Sequence, residues 1–234
     1  MAGQEKIEHF GVLIKKSEKN KLSRENYAVI DKKSSTWYSK RKFLYKTAEE
    51  RQKYYDDEEC KIYSDSFCVA WREKCLINFD KNMAFFEQIS KEEFEKALQK
   101  MLQSNKRIKQ IFDLNDCKSM SGIYIMVLDE YKQAYIGQAQ DIKKRIMQHW
   151  SRKKPFDRLI FGEVDKSVLS IDSFGALDTT RIFVLETASL NSSEKIVVNK
   201  MPQHFKLNRI GGGTINDNFD MLAALSKWNK RDLK

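Results

Sequence analysis

The sequence predicts an α/β fold: a small, mainly antiparallel sheet of three strands flanked by helices, preceded by an N-terminal extension that is α-rich or mixed. Residues 122–128 are apolar on both faces and rich in β-branched side chains, as in a buried central strand. The polar residues 129–133 separate this run from a second short strand at 134–137, and an antiparallel hairpin is the simplest connection. A third strand is expected at 181–185.

Helices are predicted where apolar residues recur at helical spacing after a capping residue. Ser90 opens the clearest of them, and Thr47 opens a shorter, polar one. The longer predicted helices cover residues 91–112, 141–152, 189–201 and 217–228. A polar stretch at 115–119 places a domain boundary between an extension, 1–115, and a second domain, 116–234.

Charge favours a polyanionic partner. The net charge is +10 and the pI is about 9.3. A basic balance of this size favours nucleic acid as the partner, and an anionic membrane surface is the second choice. No apolar run approaches transmembrane length, and the first residues lack the apolar centre of a signal peptide. We therefore expect a cytoplasmic protein that does not bind a membrane.

Cysteine and histidine usage narrows the chemistry. The spacing of Cys60, Cys68, Cys75 and Cys117 fits neither a zinc pair nor a dense disulfide frame, so reduced structural thiols are expected. With three histidines in the chain, a zinc hydrolase or a nuclease built on paired histidines is disfavoured.

A basic segment lies in the N-terminal extension. Residues 11–54 hold thirteen Lys and Arg against five acids, with Tyr27, Trp37, Tyr38 and Tyr45 interleaved. Such a mixture can follow phosphates and stack on bases, and it makes Lys40, Arg41 and Lys42 candidate DNA contacts. A solvated Lys-rich surface whose aromatic side chains fill an ordinary core explains the composition equally well.

Two tripeptides carry the functional signal. Gly122-Ile123-Tyr124 and Tyr135-Ile136-Gly137, ten residues apart and followed by a helix, resemble the signature of the GIY-YIG nuclease superfamily. The resemblance covers about residues 121–210 and says nothing of residues 1–115. It implies a metal-dependent endonuclease that hydrolyses phosphodiester bonds of double-stranded DNA with Mg²⁺ or Mn²⁺, and a restriction-like enzyme is the favoured type.

The resemblance also implies an active-site pair on the following helix, Arg145 and His149. They are four residues apart and share one face. A planar guanidinium suits the negative charge that develops on phosphate oxygens, and an imidazole can hold water or move a proton at neutral pH. Lys144 beside them is a candidate DNA contact. The alternative is an exposed basic helix face.

Glu194 matches the metal ligand of the superfamily, and a hard carboxylate oxygen suits Mg²⁺. Glu186 is the competing carboxylate. Asn208 resembles an asparagine on the last strand of the superfamily fold, where it is expected to hold the geometry of the site. The glycines at 211–213 resemble a phosphate cradle only weakly, and a turn is expected there.

The resemblance places both Tyr124 and Tyr135 in the site, one as base or water-positioning group and one as phosphate contact, and the assignment stays open. One such site cuts one strand, so a duplex break requires a homodimer or two successive nicks. The alternatives are a non-catalytic DNA-binding module on the same scaffold and an RNA-directed nuclease or toxin. The Glu59-Cys60-Lys61 sequence matches another nuclease class, but the segment is interpreted as helix and the match as chance.

Overall fold

A computed structural model of the chain describes residues 5–33, 47–151, 159, 163–165 and 167–208. Several sequence predictions lie outside these ranges: the candidate DNA contacts Lys40, Arg41 and Lys42, the turn at 211–213 and the helix at 217–228.

The described part is mixed α/β. Its strands are β1 (Lys6–His9), β2 (Val12–Lys15), β3 (Lys109–Ile111), β4 (Gly122–Leu128), β5 (Gln133–Ala139) and β6 (Arg181–Glu186). Its α-helices are α1 (Ala48–Gln52), α2 (Asp65–Gln88), α3 (Lys91–Gln103), α4 (Ile142–Ser151) and α5 (Leu190–Lys200).

The main sheet has four strands in the order β3-β6-β4-β5, and each neighbouring pair is antiparallel. The prediction that 122–128 is a buried central strand is confirmed, since β4 lies between two strands and all seven of its residues are buried. The antiparallel hairpin to β5 is confirmed as well, and its turn uses Lys132 in the left-handed conformation, φ 48°.

The fourth strand corrects two predictions. The sheet was expected to have three strands, and residues 91–112 were expected to form one helix; instead α3 ends at Gln103, and Lys109–Ile111 pairs with β6 at the sheet edge. The side chain of Asn105 accepts a hydrogen bond from the backbone N–H of Arg107. Such local bonding competes with the helix, because it offers the backbone a partner in a turn.

Helices cover both faces of this sheet. On the front face, Tyr124 and Met126 of β4 pack with Ile142 and Ile146 of α4 and with side chains of α2. On the back face, the alternate β4 residues pack with α3 and α5. Because successive side chains of a strand point to opposite faces, this apolar alternation fixes which residues of β4 and β5 meet α4.

The N-terminal elements differ most from the sequence predictions. The hairpin of β1 and β2 was not predicted, nor was the 24-residue helix α2. The helix expected at Glu59-Cys60-Lys61 is wrong: the segment is a turn in which the Asp57 carboxylate accepts the N–H groups of Lys61 and Ile62.

All four cysteines are buried and none forms a disulfide, as predicted. Among the described residues, no helix combines the length and apolar character that a membrane crossing requires. The domain boundary near residue 115 stays a prediction.

Candidate active site

The register of β4 and β5 brings the two tyrosines together. Tyr124 lies opposite Gly137, and Tyr135 lies opposite Met126, so both phenols project from the front face. Their ring centroids are 6.1 Å apart. Gly137 makes the space, because a Cβ built there would lie 2.4 Å from Tyr124 Oη. Gly137, the last residue of the second tripeptide, therefore leaves room for the side chain of Tyr124, the last residue of the first.

Helix α4 carries His149 to these phenols. The helix begins after Asp141, whose carboxylate accepts the N–H of Lys144, and its apolar side chains pack on the front face of the sheet. His149 is 3% exposed, and its Nε2 lies 2.8 Å from Tyr124 Oη. The centroids of the His149 and Tyr135 rings are 5.4 Å apart in an edge-on arrangement.

Sequence reasoning missed Asp172. It lies in a 3-10 helix, Ile171–Ser173, and its Oδ1 is hydrogen-bonded to His149 Nδ1. The side chains of both residues are almost fully buried. An ionised carboxylate only accepts, so a neutral His149 carries its proton on Nδ1 and presents Nε2 as an acceptor to the Tyr124 hydroxyl. The three groups form a chain from Asp172 to Tyr124.

Both phenols are held in the neutral form. Burial raises the pKa of Tyr124 well above 10, and the nearby Tyr135 adds to the shift while Arg145 opposes it. Burial likewise raises the pKa of Tyr135 to about 12, again against the effect of Arg145. At neutral pH, Tyr124 is therefore a hydroxyl that donates to His149.

Arg145 lies one helical turn before His149 and is half-buried. Burial lowers the pKa of Arg145, but Tyr124, Tyr135 and Asp172 outweigh it, so that the net shift is upward. The guanidinium is thus a fixed positive charge next to the phenols. It contacts Gln148 Oε1 at a long 3.4 Å and is hydrogen-bonded to Tyr124, and its remaining N–H groups are donors for other partners.

Glu194, on α5, is 4% exposed, and its Oε2 has no hydrogen-bond partner in the described structure. Burial raises the pKa of this carboxyl. Its charge also raises the pKa of the Tyr135 phenol, although α5 packs on the back face of the sheet and the phenol projects from the front face. A buried carboxylate oxygen without a donor fits a divalent cation, which would compensate the lost hydration. Among described residues no group of three or more His, Cys, Asp or Glu could hold a metal, so Glu194 would act with at most one other side chain of these types.

Asn208 clamps strand β5 behind the tyrosines. Its Oδ1 accepts the N–H of Ile136 at 3.1 Å, and its Nδ2 donates to the carbonyl of Ile136 at 2.6 Å. Beside it, the N–H of Leu207 donates to Ala134. Ile136 lies between the two site residues Tyr135 and Gly137, so the amide fixes the backbone that carries them.

The structure thus brings Tyr124, Tyr135, Arg145 and His149 together, while Glu194 lies on the helix that packs on the back face and Asn208 is bonded to Ile136 of β5. Lys144 is exposed on α4, away from the buried chain of hydrogen bonds. The competing Glu186 is exposed at the end of β6. The sequence signal for Asp172 is local: Ser170, two residues before it, can open a turn, and its hydroxyl accepts the N–H of Asp172. Nothing in that signal points to His149.

The comparisons with known proteins are negative: no protein-family model, curated protein or solved structure matches this chain.

Proposed function

We propose that this protein is a metal-dependent DNA endonuclease of the GIY-YIG type, with its active site between β4, β5, α4 and α5. The observation that carries the proposal is the Tyr124–His149–Asp172 chain, since it joins a residue of the first tripeptide to the helix pair that the resemblance implies. Arg145 supplies a positive charge for the phosphate oxygens, and Glu194 supplies a carboxylate that would hold the metal.

The hydrogen-bond chain from Asp172 to Tyr124 supports one division of roles between the tyrosines. As the attacking water loses a proton to Tyr124 Oη, the hydroxyl proton of Tyr124 passes to His149 Nε2. The positive charge then formed on His149 is stabilised by Asp172, which also fixes the imidazole orientation. Tyr135, whose phenol interacts with Tyr124, is assigned to the phosphate.

Charge stabilisation falls to Arg145. A planar guanidinium can meet two phosphate oxygens at once, which a point charge cannot. The bound Mg²⁺ or Mn²⁺, held by Glu194, would supply Lewis-acid stabilisation of the phosphate and leaving oxygens. Asn208 and Gly137 keep the strand and phenol in place, as their contacts with Ile136 and Tyr124 indicate.

The test is cleavage of supercoiled plasmid, followed on a gel, with Mg²⁺, with Mn²⁺ and with a chelator. We expect nicked and then linear DNA in the presence of either metal, and intact plasmid with the chelator. A labelled RNA of the same sequence is run beside it. Cleavage of RNA alone would support the RNA-directed alternative, and binding to DNA without cleavage of either substrate would support the non-catalytic module.

A further inference from the structure

Three buried side-chain atoms in the described structure have no hydrogen-bond partner: Gln133 Oε1, Gln138 Oε1 and Glu194 Oε2. All three are oxygens that accept. Buried acceptors are normally satisfied by a donor, so each one needs an explanation. Two of them, on Gln138 and Glu194, belong to neighbouring elements at the candidate active site.

Gln138 and Glu194 belong to two elements that are in contact, β5 and α5. Gln138 follows Gly137 on β5 and continues the alternation that puts Ala134 and Ile136 on the back face, toward α5. Its Nε2 donates to Asn191 Oδ1 at 2.7 Å. Asn191 and Glu194 are three residues apart on α5, so they lie on one side of that helix.

The hydrogen bond to Asn191 fixes the orientation of the Gln138 amide. Because Nε2 is used in that bond, the carbonyl oxygen is the free end, and it is buried. A carbonyl oxygen and a carboxylate oxygen repel an anion, so these two atoms do not form a phosphate site. A hard divalent cation prefers such oxygen ligands.

We propose that the side-chain carbonyl of Gln138 is a second protein ligand of the divalent cation held by Glu194. The inference rests on the proposed function, because it extends the metal site assigned to that activity. It also gives Asn191 a role, since its Oδ1 accepts from Gln138 Nε2 and leaves the carbonyl oxygen of that amide for the cation. Gln138 would then supply a neutral ligand and Glu194 the charged one.

The experiment is titration of the metal-free protein with Mn²⁺ in a calorimeter. Gln138→Ala should bind Mn²⁺ about tenfold more weakly, the size of loss typical for groups that support a metal site. Gln138→Glu should bind more tightly, because a second carboxylate replaces the neutral oxygen. Gln99→Ala, at an exposed glutamine of α3, is the matched control and should bind as the wild type does. Thermal unfolding without metal verifies that each variant is folded.

The outcomes separate the two proposals. If Gln138→Ala and Gln138→Glu both bind Mn²⁺ like the wild type while Glu194→Gln does not, Gln138 is not a ligand and the proposed function stands. If Glu194→Gln also binds like the wild type, the metal site itself is misassigned and both proposals fail. Weaker Mn²⁺ binding by Gln138→Ala and tighter binding by Gln138→Glu, with the affinity of the control unchanged, support Gln138 as a ligand.

Discussion

Gly137 and Tyr124 face each other across β4 and β5, and the absence of a Cβ on Gly137 leaves the space that the Tyr124 phenol occupies. A Cβ there would lie 2.4 Å from Oη and 2.5 Å from Cζ of Tyr124. Because these are side-chain atoms, a Cβ at position 137 would force the Tyr124 phenol to shift.

Gly137→Ala should therefore lower cleavage by at least about tenfold, because a shifted phenol loses its bond to His149, and it should destabilise the fold by about 1–3 kcal/mol. Thermal unfolding and a single-turnover cleavage assay measure the two effects. Gly122→Ala is the contrast: its Cβ would meet the Leu185 backbone carbonyl at 2.2 Å, so stability should suffer first. A Gly137→Ala variant that cuts at the wild-type rate would show that Tyr124 need not be held where it is.

Asp172→Asn should cut about a hundredfold more slowly, within the range for loss of an oriented proton-transfer group. An asparagine amide can donate to Nδ1 and so favour the imidazole tautomer with its proton on Nε2, which cannot accept from Tyr124. Nitrogen NMR of the imidazoles reads the tautomer directly, and the chain has only three histidines. Asp165→Asn, at an exposed ion pair with Lys81, is the control. An unchanged His149 tautomer together with an unchanged rate would remove Asp172 from the mechanism.

Arg145→Lys should cut about 100-fold or more slowly although the positive charge is retained, since one lost transition-state contact of this type has an effect of about 10²–10³. Lys144→Gln, on the neighbouring exposed residue, should weaken DNA binding and leave the rate at saturating protein unchanged. The comparison uses single-turnover rates at saturation. If the two variants behave alike, Arg145 is a surface charge.

Neutralising Lys40, Arg41 and Lys42 together should weaken DNA binding and flatten its dependence on salt, because each phosphate contact releases counterions. Specific recognition usually buries on the order of 1,000 Å² of protein surface, more than a site around one phosphate offers. Binding titrations at several salt concentrations measure both effects. Neutralising Lys91, Lys96 and Lys100 on α3 gives a variant of equal charge. Equal losses in the two triple variants would mean that net charge, not this segment, determines binding.

The strands and helices around the site were predictable from local sequence patterns, since β4 is an unbroken apolar run and the helices repeat apolar residues at helical spacing. The expected and observed bounds of β4 coincide, and α4 and α5 begin within one residue of the expected positions. The N-terminal half gave weaker signals. Helix α2 buries Asn78 and Asn82 along with its apolar side chains, and a stripe that mixes amides with apolar residues does not stand out in the sequence.

The candidate site divides in the same way. Tyr124, Tyr135, Arg145 and His149 lie on regular elements at recognisable spacings, so the sequence places them. Asp172 lies 23 residues beyond His149 in an irregular segment, and only the tertiary fold brings their side chains together. The orphaned oxygen of Gln138 is likewise invisible in the sequence, because it depends on which end of the amide Asn191 engages.

The central claim, hydrolysis at a metal site formed by Glu194, is tested most directly by comparing Glu194→Gln with Glu186→Gln. Both variants replace one carboxylate by an amide, the first at a buried orphaned side chain and the second at an exposed one. The measurement is the single-turnover rate of cleavage of a DNA duplex in Mg²⁺, with thermal unfolding to verify the fold. We expect Glu194→Gln to be folded, at least as stable as the wild type without metal, and inactive, while Glu186→Gln cuts normally. A folded Glu194→Gln variant that cuts at the wild-type rate would contradict the account.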